Sequence, residues 1–368
     1  MKKVSKILLI LLIIIAIPVL ILIAGLLFLH FYPSIGAHPS SAEKDAYEER
    51  TSAFHDGSFH NVHESALMSG ESYASDPRRV PEQIIPADKP ELLTAPEEND
   101  LTYTWLGHSS FLIQAGKTCI LADPVLSQRS SPVGFAGPER FSEIPLTTDE
   151  MPDIDIVLIS HDHYDHLDYQ TILELKSGSC QFIVPLGVDT ILRGWGIGDD
   201  RITALAWWEK TEINGMTITL TPSQHFTGRD PFMRNSTLWG GYYLDNGYHK
   251  VYYTGDGGYC EAFREVGDRL GAPDVMIAEC GQYDPSWASV HMFPEETVQA
   301  YFDAGATYLI PVHWGTFCIC NHAWDDSIIR VKNESDKTGA ALITPRIGQT
   351  VNYPDIESYT ENWWEDIK

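Results

Sequence analysis

Residues 160–168 hold the densest group of chemically active side chains in the sequence. Within this segment His161, His163, Asp165 and His166 follow the pattern His-x-His-x-Asp-His. Imidazole nitrogens and carboxylate oxygens are the ligands that zinc, manganese and iron(II) accept. Because the chain has only 14 histidines, we expect this pattern by chance in roughly one such chain in a thousand. The segment therefore indicates a metal site, and metal-activated water points to hydrolysis.

Strand-like runs of apolar residues precede this segment and three further candidate ligands. Residues 154–159 lead into the histidine-rich segment, and their β-branched side chains are typical of a buried strand. Similar runs lead to His225, Asp256 and His313. Glycines on both sides of Asp256 leave room for close approach of another group. The total of seven ligands is enough for two metal ions.

The elements that must position these ligands alternate along the chain. Groups of strand-like runs are separated by single helical patterns, which predicts two sheets covered by helices on the outside. The predicted strands are residues 101–105, 110–114, 118–122, 154–159, 216–220, 241–244, 249–253 and 275–278, and the predicted helices are residues 168–176, 187–194, 261–270, 294–303 and 324–337.

The N-terminus contains an apolar segment, Ile7–Leu29, without any charged residue. As a helix it is about 35 Å long, which is enough to cross the hydrocarbon core of a membrane. Lys2, Lys3 and Lys6 precede it, while the next lysine or arginine is Lys44. The positive-inside rule then predicts a single-pass membrane protein with a cytoplasmic N-terminus and an extracytoplasmic catalytic domain. A cleaved signal peptide is the alternative, although its apolar core is normally shorter.

Composition divides the remaining chain and restricts its partners. Prolines between residues 77 and 96 argue against long helices there. We predict a cytoplasmic N-terminus (1–6), a transmembrane anchor (7–29), a polar linker and extended arm (30–100), a catalytic domain (101–350) and a C-terminal tail (351–368). The net charge of −26 disfavours binding to nucleic acid. The six cysteines form no Cys-x-x-Cys pair, so we expect them to be packing residues.

The seven candidate ligands resemble the metal site of the metallo-β-lactamase superfamily. Other motifs resemble its N-acyl-phosphatidylethanolamine-hydrolysing phospholipase D branch, and the likeness extends over about residues 51–348. These motifs are residues 55–61, 104–110, 123–125, 130–132, 137–141, 184–187, 207–209, 221–225, 238–240, 255–260 and 313–317.

This resemblance implies a four-layer αβ/βα sandwich and a dinuclear metal centre. Two divalent ions would share a hydroxide that attacks a phosphorus or carbonyl centre. Zinc is the first expectation, and manganese or iron(II) also suits the mixed nitrogen and oxygen ligands. One ion would bind His161, His163 and His225, the other would bind Asp165, His166 and His313, and Asp256 would bridge the two.

Several residues near the ligands are candidates for other roles. Asp165 and His291 are the residues that we expect to take part in catalysis, and His291 would bind substrate or move protons. Asp123 could orient a ligand histidine, and His108 is a weaker candidate. Arg229 could meet a phosphate, or it could be an ordinary solvated arginine.

The expected substrate is a phosphodiester of a phospholipid, because the branch motifs and the predicted anchor both favour a lipid. The alternative is a lactone or another small, phosphorylated ester, as in L-ascorbate-6-phosphate lactonases. Both activities need the same ligands, so the shape of the cavity must separate them. Iron redox enzymes of this fold resemble the chain less, because they carry glutamate at the position of His163.

Overall fold

Two β-sheets pack face to face in the structure, a computed structural model that describes residues 2–62 and 70–367. The parts of the predicted N-terminus, arm and tail that fall on Met1, residues 63–69 and Lys368 lie outside the described residues. In chain order, the strands are β1 (Phe54–His55), β2 (Ser58–Phe59), β3 (Leu101–Gly107), β4 (Ser110–Ala115), β5 (Thr118–Ala122), β6 (Ile156–Leu158), β7 (Gln181–Pro185), β8 (Ile202–Leu205), β9 (Lys210–Ile213), β10 (Met216–Thr221), β11 (Gly241–Asp245), β12 (Lys250–Tyr253), β13 (Val275–Glu279), β14 (Tyr308–Val312) and β15 (Thr350–Asn352).

Strand directions bring the ends of several strands to one edge. The first sheet has the order β15-β3-β4-β5-β6-β7-β8, and the second has the order β14-β13-β12-β11-β10-β9. Strands β5 to β8 run parallel in the first sheet, as do β12 to β14 in the second. The carboxyl ends of parallel strands meet at the same edge of a sheet. Residues that follow these strands are therefore brought together.

Helices cover the outer faces of both sheets, which gives the predicted four layers. Buried side chains of α3 and α4 pack with those of β6 and β7 on the first sheet. Helix α6 contacts α5 on one side, α7 on the other and β13 of the second sheet. Because each sheet is covered on both faces, the residues of its central strands are almost all buried. The helices are α1 (Lys2–His30), α2 (Ser41–Arg50), α3 (Tyr169–Leu175), α4 (Val188–Gly194), α5 (Ala262–Leu270), α6 (Pro294–Ala304) and α7 (Asp326–Thr338).

Helix α1 contains a span, Lys6–Phe28, that is long and apolar enough to cross a membrane. Within its 23 residues, an 18-residue window has a mean hydropathy of 3.6, and none of that window is buried inside the protein. An apolar helix with no protein around it needs a nonpolar environment. Length and composition also fit a signal sequence, and the structure does not determine an orientation.

The chain after α1 packs on the catalytic domain where a tether was expected. Ser34 and Ile35 are buried. The indole nitrogen of Trp195 donates a hydrogen bond to the carbonyl oxygen of Pro33 at 2.9 Å. Helix α2 was not predicted, although Ser40 and Glu43 form a capping box at its start. The predicted linker therefore contains a helix and a docked segment.

The C-terminal residues predicted as a tail are part of the folded domain. Strand β15 pairs with β3 at the edge of the first sheet. Trp363 and Trp364 are buried, and the ring of Trp363 stacks on that of Trp314 at 5.2 Å. These two tryptophans bury large apolar surfaces, so the last residues stabilise the domain.

The six cysteines are free thiols. Four of them are buried, while Cys260 and Cys318 are half-buried. Cys318 and Cys320 pack beside each other, and the Cys318 thiol donates to the carbonyl oxygen of Cys320. This arrangement fits the expected packing role.

Candidate metal centre

The histidine-rich segment lies in the loop between β6 and α3. Asp168 ends this loop as the N-cap of α3, since its side chain accepts a hydrogen bond from the backbone nitrogen of Thr171. The same carboxylate accepts hydrogen bonds from Ser127. The loop is thus anchored at both ends, by a buried strand and by a capped helix.

Three of the candidate ligands, His161, His163 and His225, bring their ring nitrogens close together. The Nε2 atom of His161 lies 2.9 Å from Nδ1 of His163, and Nε2 of His225 lies 3.2 Å from the same atom. Oδ2 of Asp256 lies 3.9 Å from His161 Nε2 and 4.0 Å from His225 Nε2. The three histidines therefore form a group that could hold a metal ion.

A second group of ligands shares the same Asp256 oxygen. Oδ2 of Asp256 lies 3.1 Å from Nε2 of His166 and 3.1 Å from Nε2 of His313. Oδ2 of Asp165 lies 3.7 Å from Nε2 of His166 and 3.3 Å from Nε2 of His313. All seven residues predicted from the sequence are therefore brought together, in two groups of three joined by Asp256.

The chemistry of these donor atoms suits metal ions. Metal bonds of about 2.0–2.2 Å in a tetrahedral site put the donor atoms about 3.3–3.6 Å apart, within the spread observed here. Among the residues that the structure describes, the buried Oδ1 of Asp256 has no hydrogen-bond partner. Buried polar atoms without partners are rare unless an ion or water binds them.

Backbone geometry brings Asp256 to this position. Gly255 has φ +60°, and a Cβ there would lie 2.4 Å from the carbonyl oxygen of Gly240. Only glycine can adopt this conformation at such a close approach without strain. The expectation that glycine makes room beside Asp256 is confirmed at this position.

A second layer of contacts orients the ligand histidines. Oδ2 of Asp123 lies 2.7 Å from Nδ1 of His166, as expected from the sequence. Asp123 also accepts hydrogen bonds from Ser160 and from the hydroxyl of Tyr253. The carbonyl oxygen of Val290 lies 2.9 Å from Nδ1 of the ligand His225. Such contacts fix the tautomer and the direction of the ring.

Two functional residues were missed or undervalued in the sequence. Glu279 ends β13 and is fully buried, with its two oxygens 3.4 Å from Nδ1 of His291 and 3.5 Å from Nδ1 of His313. Its signal was an acidic residue at the end of an apolar strand, the same signal that identified Asp256. His108 is fully buried, and its Nε2 lies 3.0 Å from Oδ2 of Asp165.

His291 faces the cavity beside the metal ligands. The cavity has a volume of about 240 Å³. The ring of His291 stacks on that of His313 at 5.3 Å, and Oε1 of Glu279 lies 3.4 Å from Nδ1 of His291. Most of the remaining wall is apolar or aromatic: the lining residues are Ser130, Pro138, His163, Tyr164, Asp165, Phe226, Asp256, Gln282, Trp287, Val290, His291, His313 and Ile319.

Arg229 takes neither of the roles considered from the sequence. It is buried, with its guanidinium over the rings of Tyr164 and Trp195. It donates hydrogen bonds to the carbonyl oxygens of Ser34, Asp162 and Leu167 at 2.6, 2.9 and 2.7 Å. Arg229 thus links the segment after α1 to the loop of the metal ligands. A planar guanidinium can satisfy several carbonyl groups at once, and sequence spacing does not reveal such partners.

Burial and neighbouring charges prepare the ligands for metal binding. Burial and the neighbouring imidazoles lower the pKa of His161 and of His225 well below the ordinary value. Burial opposes ionisation of Asp256, but His166 outweighs it and holds the pKa of Asp256 well below its usual range. Burial would lower the pKa of His313, but Asp256 outweighs this and raises it to about 9. Metal binding at His313 therefore has to release a proton.

This fold and this cluster define the class of the protein: it belongs to the β-lactamase superfamily, whose domain model matches residues 118–314, and it is a metal-dependent hydrolase. An uncharacterized protein of Mycobacterium tuberculosis is 34% identical over 351 residues, covering 91% of this chain and 93% of its own length.

Two further comparisons concern a named enzyme and a solved structure. An N-acyl-phosphatidylethanolamine-hydrolyzing phospholipase D of Caenorhabditis elegans is 34% identical over 263 residues, covering 65% of this chain and 74% of that enzyme. Igni18, a metallo hydrolase from the archaeon Ignicoccus hospitalis, has a similar fold, with a TM-score of 0.55 and 19% identity over 69% of this chain and 98% of its own.

Proposed function

We propose that the protein hydrolyses a phosphodiester bond of a membrane phospholipid, as the name of the C. elegans relative describes for that enzyme. The observation that carries this proposal is the short connection between the cavity and the end of α1. Ser130 and Pro138 line the cavity. Between them, the carbonyl oxygen of Pro132 accepts a hydrogen bond from the hydroxyl of Ser34, four residues after α1. A lipid held at a membrane by its acyl chains would have its head group close to this cavity.

The proposed site holds two divalent ions, with zinc as the first expectation and manganese or iron(II) as alternatives. When bound, such ions lower the pKa of water and neutralise negative charge that develops on the phosphoryl group. The two groups of donors, joined at Oδ2 of Asp256, support this assignment. One ion would be held by His161, His163 and His225, the other by Asp165, His166 and His313, and both by Asp256.

The side chains around the ions provide orientation and proton transfer. His108 would hold the carboxylate of Asp165 in place through the 3.0 Å contact. Glu279 would hold His291 through its Nδ1, which leaves Nε2 available to the substrate. His291 would then contact a phosphoryl oxygen or donate a proton to the leaving group.

Helix α1 would anchor the protein in the membrane, with the N-terminus in the cytoplasm and the catalytic domain outside. The lysines before the apolar span support this orientation. Phe31 and Phe232, both exposed, lie at the end of α1, and the ring of Phe232 is 5.6 Å from that of His30. Exposed aromatic side chains are favoured where protein meets the membrane surface.

A small ester or lactone remains the second candidate substrate, and the size of the cavity favours it. A volume of about 240 Å³ lies below the roughly 300–1,000 Å³ of most ligand pockets. Under the lipid proposal, only the head group would enter this space, and the acyl chains would remain outside it.

The test uses the purified full-length protein with vesicles that contain N-acyl-phosphatidylethanolamine. Water attack at phosphorus would break one phosphorus–oxygen bond and release phosphatidic acid and an N-acylethanolamine. We expect both products in equal amounts, measured by mass spectrometry, and no release after treatment with a chelator. The variant Asp245→Asn, whose half-buried carboxylate lies at the opposite end of β11 from the site, should behave as the wild type.

A parallel incubation with phosphorylated lactones and small phosphodiesters separates the two substrates. Hydrolysis of these compounds without any phosphatidic acid would contradict the lipid proposal and favour the second candidate. Absence of hydrolysis from every substrate, with a full complement of metal, would contradict both.

A further inference from the structure

Three potential ligands meet where helix α1 joins the catalytic domain, and we call them the juxtamembrane cluster: His30, His38 and Asp230. Nδ1 of His30 and Nε2 of His38 both contact Oδ2 of Asp230, the second at 3.0 Å. The two imidazole rings are nearly parallel, with their centres 5.1 Å apart. Three donor atoms of the kinds that bind zinc therefore lie within 4.8 Å of one another.

The position of each member is fixed by its surroundings. The segment between the two histidines is pinned to the domain, because Trp195 and Arg229 donate to the carbonyl oxygens of Pro33 and Ser34. Oδ1 of Asp230 accepts a hydrogen bond from the backbone nitrogen of Phe232 at 2.6 Å. Oδ2 is left to face the two imidazoles. The donors are thus held together before any ion binds.

The charge of Asp230 needs a partner. Its side chain is only 3% exposed. Among the described residues, no lysine or arginine lies within ion-pair distance of this carboxylate, and its charged contacts are His30 and His38 alone. A buried carboxylate is stable only when a cation or several donors compensate for lost hydration. A protonated histidine or a bound metal ion would provide that compensation.

We infer that His30, His38 and Asp230 bind one divalent transition-metal ion that fastens the end of α1 to the catalytic domain. Two imidazole nitrogens and one carboxylate oxygen form a donor set that suits zinc, and cobalt(II) can replace zinc in such sites. The two histidine side chains are 25% and 28% exposed, so water completes the coordination. This inference does not depend on the substrate of the catalytic site.

The test counts metal ions in the full-length protein, purified in detergent micelles and dialysed against zinc chloride. We expect His38→Ala to contain one zinc fewer per chain than the wild type by elemental analysis, and Asp230→Asn to show the same loss. The control is His55→Ala. His55 also stacks on a second histidine, His60, at 3.9 Å, but no carboxylate contacts both rings, so this pair lacks the third ligand. This variant should keep the wild-type number. His38→Gln replaces the alanine variant if that variant does not fold.

A second measurement separates this site from the catalytic one. In a His163→Ala/His313→Ala variant, zinc should still raise the midpoint of thermal unfolding, because binding to the folded state stabilises it. Adding His38→Ala should make this rise smaller, because His161, His225 and Asp256 still offer a donor set of the same kind in the double variant. Equal zinc content in the wild type, His38→Ala and Asp230→Asn would overturn the inference and leave only histidine–carboxylate hydrogen bonds. Absence of lipid hydrolysis would not affect either measurement.

Discussion

The proposed metal centre, which consists of the seven candidate ligands, and the juxtamembrane cluster are built from the same residue types but differ in how the fold supports them. The donors of the metal centre follow strand ends, and all of them except the half-buried His163 are buried, with His166 and His225 fully so. The juxtamembrane histidines follow or end a helix and remain about one quarter exposed. Strand ends are fixed by hydrogen bonds to their neighbours, whereas the juxtamembrane donors depend on a few contacts from loops.

This difference in burial indicates different roles for the two clusters. A mostly buried set of ligands excludes most water, which strengthens its electrostatic effect on a reacting group. A partly exposed set has little such effect and is suited to holding two segments together. The two clusters are connected by Arg229, which donates to Ser34 on one side and to Asp162 and Leu167 on the other.

The largest effect should follow from removing the carboxylate that both catalytic groups share. Asp256→Asn should lower the rate of hydrolysis by roughly 10³-fold or more, because several kcal/mol of metal-dependent stabilisation are lost. Turnover and metal content are measured together. Asp245→Asn should retain full activity, and near-normal turnover in Asp256→Asn would argue against a shared ligand.

A smaller effect should follow from neutralising Glu279, whose carboxylate lies beside Nδ1 of His291 and of His313. Glu279→Gln keeps the shape of the side chain but removes the charge beside His313 and His291. We expect metal affinity to fall by about tenfold to a hundredfold, as for other groups that orient ligands. Competition with a chromogenic chelator measures this affinity. Glu295→Gln, which breaks an ion pair with Arg330 at the surface, serves as the control, and equal affinities in both variants would refute the assignment.

Arg229→Lys tests whether the segment after α1 and the loop of the metal ligands are coupled. Lysine cannot reproduce the planar set of hydrogen bonds, so the free energy of unfolding should fall by about 1–3 kcal/mol. Arg201→Lys is a matched control, because Arg201 also donates to backbone carbonyl oxygens, those of Cys180 and Lys176. Denaturant unfolding should show a lower free energy of unfolding in both variants. Only Arg229→Lys should also weaken metal binding. A loss of affinity in both would mean that general destabilisation is the cause.

The smallest effect concerns the metal-free protein at different pH values. Because the pKa of His313 is raised to about 9, its contribution to stability is present below about pH 6.5 and is lost as the pH rises through 9. His161 and His225 have lowered pKa values, so their contributions are present above about 6.5 and are lost at lower pH.

Stability of the metal-free protein should therefore be greatest near pH 6.5, and it should fall both toward lower pH and between about pH 6.5 and 9, with each group changing it by at most about 1.4 kcal/mol per pH unit. Thermal unfolding of chelator-treated protein across this range measures the effect. His313→Gln should reduce the alkaline loss, and an unchanged alkaline limb would contradict the role of His313. The metal-loaded protein should show a weaker pH dependence near neutrality, because bound metal excludes these protons.

The sequence by itself predicted the elements and ligands whose signals are local. The pattern of His161 to His166 lies within six positions, and the other ligands each follow an apolar strand, so that parallel strands bring them to one edge. The apolar segment before residue 30 likewise reveals itself through composition. These features depend on near neighbours in the chain, and near neighbours can be recognised without the fold.

Only the tertiary structure decided which distant groups support the site. Glu279, His108 and Arg229 take their roles from partners far away in the sequence, and no spacing rule connects them. The docked segment after α1 and the pair Trp363 and Trp364 also depend on distant partners. Their sequences were interpreted as a linker and a tail, and only the folded domain shows that they are buried. Burial determines whether a polar or aromatic side chain is solvated or held, and burial is a property of the assembled sheets and helices.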